Sequence, residues 1–335
     1  AELRRSEDLS ERQIFNILFE GGITMQESAN VLDVQEILNE KARRRSLLTN
    51  LLPFTGLTFI FVFFVIVTNG KMLSSGNVTN LISQCFSVSL VAVGASFVYA
   101  HGGMDFSIGV SSGVSQLVAA TIITAAGLPT WMAIVACILT AVLCSTIVGA
   151  TSAFLRVPVF VVSLCMRAIC TGALTVGISK SDIAIDYLKF NAFNNAFLKL
   201  GVLLVVIAIG YYLFEYTSLG KSEKAIGGNA ITAFQAGVKV KKCQIIAYTL
   251  MGFCVGIAAF FQLIRTGSVS GTSGSGLEFD IMVAIVLGGF PMTGGSAAKL
   301  RAAIIGALTI TILSNGLILW GMDYLLINGV KGLLF

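Results

Sequence analysis

An all-α, polytopic membrane protein of about ten transmembrane helices is predicted by three features of the 335-residue sequence. Hydrophobic residues make up 56% of it and charged residues only 12%, against roughly 25% charged in soluble domains. The charges gather in the first fifty residues and a few short connections, leaving apolar runs long enough to cross the ~30 Å hydrocarbon core as helices. Helices satisfy their own backbone groups in that environment. Glycine-rich breaks also fall between spans with almost no hydrophilic linker, so some elements are expected to be broken or re-entrant.

The organisation follows from these features. Residues 1–50 are expected to form a cytoplasmic helical segment, in which Ser10 and Gln13 form a capping box and Ile14, Phe15, Ile17 and Leu18 share one apolar face. Residues 33–40 read as a second short helix. Residues 51–335 form the transmembrane part, with spans at 51–68, 81–100, 108–127, 131–154, 158–177, 196–214, 245–264 and 300–320. A run too short to cross alone lies at 281–289, and a final run begins at Met322. A polar stretch at 215–244 interrupts the series. With the N-terminus placed inside, Lys and Arg near the spans divide twelve to five. The outer five are Lys71, Lys180, Lys189, Lys199 and Arg265. The inner set includes Arg43, Arg44, Arg45, Lys239, Lys241 and Lys242. Positive charge on the inner side sets that orientation and makes 215–244 a cytoplasmic loop.

Several function classes are excluded by what the chain holds. Its seven cysteines lie mostly in apolar runs without a CxxC pair, as expected of small core residues rather than a disulfide framework or a metal site. No basic stripe interleaved with aromatics points to nucleic acid. Gly220-Lys221-Ser222 has the end of a phosphate-binding loop, but Glu215 stands where that loop needs its first glycine. The single histidine, His101, has no HExxH or GxSxG context. The expectation is a chain with no catalytic residues, no metal and no cofactor of its own.

Polar and glycine residues at membrane depth are the candidate working parts. The run from His101 to Gly109 holds Asp105, Phe106 and Ser107 between two spans. Asp105 either caps the next helix or meets solute. Arg167 sits in mid-span, where a charge is costly, so it either locks helices through an oxygen partner or lines the solute path. Glu278 and Asp280 end a Gly/Ser-rich segment and either cap a helix or meet the cations of an external partner. Gly288 and Gly289 begin a second glycine break before a span. The two breaks, one per half, echo the internal repeats of transporters, whose sites lie where broken helices meet. In the polar loop Asn229 is placed to cap a two-turn helix that Gly237 ends in the left-handed conformation. A capped helix in such a loop suits a protein partner.

Four segments in order carry a resemblance. They are Gly102-Gly103-Met104-Asp105-Phe106-Ser107-Ile108-Gly109, then Val157-Pro158-Val159-Phe160-Val161-Val162-Ser163-Leu164, then Ala225-Ile226-Gly227-Gly228-Asn229 through Gly237, and Glu278-Phe279-Asp280 through Gly294-Gly295. Val330-Lys331-Gly332 fits a final helix. Together they resemble the ribose-type branch of ABC importer permeases, within the superfamily of branched-chain amino acid and sugar permeases. The resemblance implies a ten-helix, multi-pass permease of the bacterial inner (plasma) membrane. It would pair with a second copy or a paralogue. ATP and Mg would be held by cytoplasmic ATPase partners docked on Gly227, Gly228, Asn229, Ala230, Phe234 and Gly237. A periplasmic or lipid-anchored binding protein would deliver a monosaccharide such as ribose; a nucleoside is the alternative solute. The chain departs from that pattern in three places: Ala230 and Ile231 stand where the coupling helix usually opens with acidic residues, Arg167 lies one turn before the expected arginine, near Thr171, and the N-terminal segment is long. The competing reading from residues alone is an ion-coupled transporter working through His101, Asp105 or Arg167, which would have no use for a capped cytoplasmic helix.

Overall fold

The computed structural model describes residues 52–124, 129–178, 182–186 and 190–334. The expectations for residues 1–50 lie outside them. Proline and apolar residues open α1 at Leu52–Val67, followed by a 3-10 turn at Lys71–Leu73. Helix α2 runs over Ser75–Ala100, beginning six residues before the expected start at 81. Then come α3 at Ile108–Thr124, α4 at Thr130–Leu155, α5 at Val159–Gly177 and α6 at Ala196–Tyr211, the last prolonged by a π-helical turn at Tyr212–Tyr216. The stretch expected to be a polar loop contains two helices, α7 at Ser218–Gly228 and α8 at Ala230–Gln235. Helix α9 covers Val240–Thr266, α10 Leu277–Leu287, α11 Leu300–Leu319 and α12 Tyr324–Leu334.

Six of these helices are long and apolar enough to cross a membrane, and α1 and α3 are shorter apolar helices. Helix α10, with 11 residues, rises only about 17 Å and needs protein around it. A two-residue strand pair, Ile183–Ala184 against Ser268–Val269, is the one sheet among the described residues and ties the segment after α5 to the end of α9.

Helix α2 is the axis of the bundle. Every residue from Phe86 to Ala100 is buried, and two of its hydroxyls bond within the helix, Ser87 Oγ donating to the Ser83 carbonyl and Ser96 Oγ to that of Ala92. Association in lipid lacks a hydrophobic drive between helices and relies on close packing of small residues. A Cβ on Gly252 of α9 would lie 2.8 Å from the Ala141 carbonyl oxygen of α4, and one on Gly94 of α2 would lie 2.9 Å from the Met251 Cα of α9. Opposite that seam, Trp131, Val135, Leu139, Leu143 and Ile147 recur every four residues along α4 and are all exposed, forming a stripe suited to acyl chains.

Candidate functional site

The first glycine break is built around Asp105. Its Oδ1 accepts from the Ser107 backbone N–H at 2.7 Å and from the Ser107 hydroxyl at 2.6 Å, which caps the start of α3. The carboxyl is wholly buried, and its other oxygen, Oδ2, has no hydrogen-bond partner among the described residues. The Phe106 N–H donates to Ser163 Oγ at 3.1 Å and thereby joins the break to α5.

Arg167 projects from the middle of α5, and its Nη1 lies 2.7 Å from Oε1 of Glu278 at the first turn of α10. Glu278 is fully buried. Gly109 and Gly113 of α3 make room for it: a Cβ at either would collide with Glu278, or with the backbone of Gly274 and Ser273. Glu278 therefore cannot meet an external partner, correcting the surface role expected for it. Its loop enters the bundle because α3 offers two glycines on one face. Asp280 is likewise engaged within the chain, its Oδ1 2.6 Å from Lys331 Nζ on α12. Both carboxylates serve pairs inside the chain.

The second break meets the first. The Gly295 N–H donates to the Ala100 carbonyl at 2.9 Å, and Gly294, at φ +73°, leaves no space for a Cβ beside that same carbonyl. Of the residues expected there, Gly289 ends α10 in the left-handed conformation, at φ +79°. Gly288 is a packing residue, because a Cβ on it would overlap the Ala302 carbonyl of α11.

Helix α7 wedges against this junction. A Cβ on Gly227 would overlap the Ala100 carbonyl, so Gly227 faces the bundle rather than a partner, a correction to its expected role. One turn earlier Glu223, fully buried, places Oε2 2.8 Å from Nδ1 of His101, itself 2% exposed. Sequence reasoning missed Glu223. The available signal was spacing: Gly220, Glu223, Ile226 and Gly227 fall on one helical face, and all four turn inward or pack closely. At its outer edge α7 is held by Lys224, whose Nζ is 2.6 Å from Glu215 and 4.4 Å from the centroid of the Phe214 ring.

Beyond α7 the chain turns outward. Asn229 Oδ1 accepts from the N–H groups of Ile231 and Thr232 at 3.0 and 3.1 Å, and Gly237 follows α8 at φ +86°. Ala230, Gly228 and Asn229 are exposed, Ile231 is 72% exposed and Phe234 70%. Ala230, Ile231 and Phe234 border an open cavity of about 1360 Å³ whose other walls include Phe106, Arg156, Phe160 and Lys241. The short helix thus presents an exposed apolar face beside the basic residues Arg156 and Lys241.

Broken helices meeting at their glycines, ion pairs within the bundle and a polar-capped helix projecting from one end define a membrane transport protein. The chain belongs to the family described as the permease component of branched-chain amino acid transport systems, matched over residues 77–335. Among curated proteins it is 30% identical over 290 residues to the ribose import permease protein of Bacillus subtilis, covering 84% of this chain and 88% of that protein. It is 28% identical over 257 residues to that of Escherichia coli K12, covering 74% and 79%, and 27% identical over 293 residues to the fructose import permease protein of Rhizobium meliloti, covering 82% and 81%. No solved structure matches it. It is a multi-pass membrane protein.

Proposed function

We propose that this chain is the membrane-spanning permease subunit of an ATP-binding-cassette importer and that its solute is a monosaccharide. The chief support is α8, a capped helix that leaves Ile231 and Phe234 bare beside an apolar-walled cavity, in a family of import permeases whose relatives are named for ribose and fructose. In this reading the N-terminus and α8 lie in the cytoplasm, ten elements from α1 to α12 enter the bilayer of a bacterial inner membrane, and α7 and α8 stay outside it. A second copy, or a paralogue, completes the path. The cytoplasmic ATPase holds ATP and Mg, and the chain itself holds no cofactor. A periplasmic or lipid-anchored binding protein meets the opposite end.

The contacts supply a lever. Motion of an ATPase seated on Phe234 reaches Asn229, then Gly227 and Glu223 of α7. These bear on Ala100 and His101 of α2 and on Gly295, the residues where both glycine breaks meet. Packed backbone with no space for a Cβ is stiff, so displacement passes on as rigid rotation. The chain reconstituted alone should hydrolyse no ATP and accumulate no sugar. With its ATPase and binding protein it should take up D-ribose, D-fructose or D-allose in an ATP-dependent way. Ion-driven uptake by the chain alone would overturn this reading.

A further inference from the structure

At the end of the bundle away from α8, a separate, partly open cavity of about 180 Å³ is lined by α2, α9, the glycine loop, α10, α11 and α12. It lies in one protomer. From Gln84 on its wall to His101 is seventeen residues of α2, about 25 Å, so it is remote from the junction of the glycine breaks. Its polar lining includes Gln84, Gln262, Arg265, Asp280, Ser314 and Lys331.

These groups are unusual in a bundle of apolar helices. Lys331 is buried, 3% exposed, and has Asp280 at 2.6 Å. Among the described residues the Arg265 guanidinium, half-buried in the same wall, has no carboxylate partner, and Ser314 Oγ is a buried hydroxyl without a hydrogen bond. Desolvating charges costs several kcal/mol each, and a pair is often no better than apolar packing. A third charge with no partner therefore adds cost with no gain to the fold.

We propose that this cavity binds one monosaccharide; the inference rests on the transport reading above and names the residues that contact the solute. The wall offers Arg and Lys, which only donate, a carboxylate, which only accepts, and amides and a hydroxyl, which do both. A ring sugar presents hydroxyls that donate and accept at every position and can satisfy all of them at once. A simple anion would satisfy Arg265 but meet the Asp280 carboxylate, and an apolar solute would leave Arg265 without a counter-charge and Ser314 Oγ without a hydrogen bond. A cavity of about 180 Å³ admits a small solute on the scale of a single sugar ring. A site on a transport path must release what it binds, so weak, millimolar binding is expected.

The test is saturation-transfer NMR with D-ribose on the permease in lipid nanodiscs, run beside uptake by the complete complex. A saturable signal is expected that D-allose displaces and inorganic phosphate and sucrose do not. Arg265→Leu and Gln84→Leu should each weaken apparent affinity at least tenfold while the protein keeps a cooperative melting transition. If either variant fails to fold, Ser314→Leu, which fills the cavity from α11, takes its place with the same expected loss. A signal unchanged in the folded variants, or displaced by phosphate, overturns the proposal. Absence of any saturable signal while the complex still imports ribose overturns the cavity site and leaves the transport reading standing. Loss of import of all the sugars by the intact complex counts against the transport reading instead, whatever the NMR shows.

Discussion

His101 Nδ1 lies 2.8 Å from Glu223 Oε2, and this contact joins the end of the central helix α2 to the helix that carries α8. Both side chains are nearly or fully buried.

Removing one partner of that contact should cost stability and coupling together. Glu223→Ala leaves the His101 imidazole buried with Nδ1 unpaired, a loss of about 1–3 kcal/mol. The expected result is a lower melting temperature of the purified permease and uptake reduced relative to ATP hydrolysis. Glu223→Gln, which can still donate or accept at that position, should retain most of both. Equal behaviour of the two variants would show that the hydrogen bond is irrelevant.

Arg167 and Glu278 should show strong pairwise dependence. Arg167→Leu strands a fully buried carboxylate between two glycines and is expected to destabilise by about 3–5 kcal/mol. Glu278→Gln combined with Arg167→Leu should recover part of that loss, because no unpaired charge remains. A double-mutant cycle by thermal melting measures the coupling, and additive effects would contradict the pairing.

Two glycines in the same protein should respond oppositely to alanine. Gly306→Ala drives a methyl into the Ala284 carbonyl where α10 meets α11, and overpacking of this kind costs about 1–3 kcal/mol. Gly172→Ala on α5 meets nothing within 4 Å and should be neutral or slightly stabilising, since alanine is the better helix former. Comparing yield and melting temperature of the two variants in detergent checks this.

Phe234→Ala should separate folding from function. The ring is 70% exposed, so its loss leaves the permease inserted, with an unchanged melting temperature. As an aromatic anchor it would contribute about 2 kcal/mol or more to an ATPase contact, roughly a thirtyfold change in affinity. Weakened co-purification with the ATPase and uncoupled hydrolysis are expected. Unimpaired assembly and uptake would remove α8 as the docking element.

Much of the helical framework was legible before any coordinates. Apolar runs of membrane length can only become helices in lipid, so the long spans emerged close to their expected places. Asn229 and Gly237 announced α8 because capping is a local event, decided by one side chain and one backbone conformation. The break at Asp105 was visible for the same reason, since an acid three residues before a helix has few other uses at membrane depth.

What the tertiary structure alone decided were the partners. Arg167 was expected to need an oxygen, but only the entry of the glycine loop against Gly109 and Gly113 shows that Glu278 supplies it. Glu278 and Asp280 stand two residues apart and read alike in sequence, yet one faces α5 and the other α12, a division set by the helical turn of α10 and by which neighbours pack on each side. Helix α7 reads as loop in the sequence because its composition is polar; its burial comes from Gly220 and Gly227, whose missing side chains let it close on Phe214 and Ala100. Composition and periodicity determined that this chain enters a membrane and where its helices break, because those are properties of single segments in a single solvent. Which charge meets which, and which glycine is a hinge or a seam, depends on residues from different helices, and only packing brings those together.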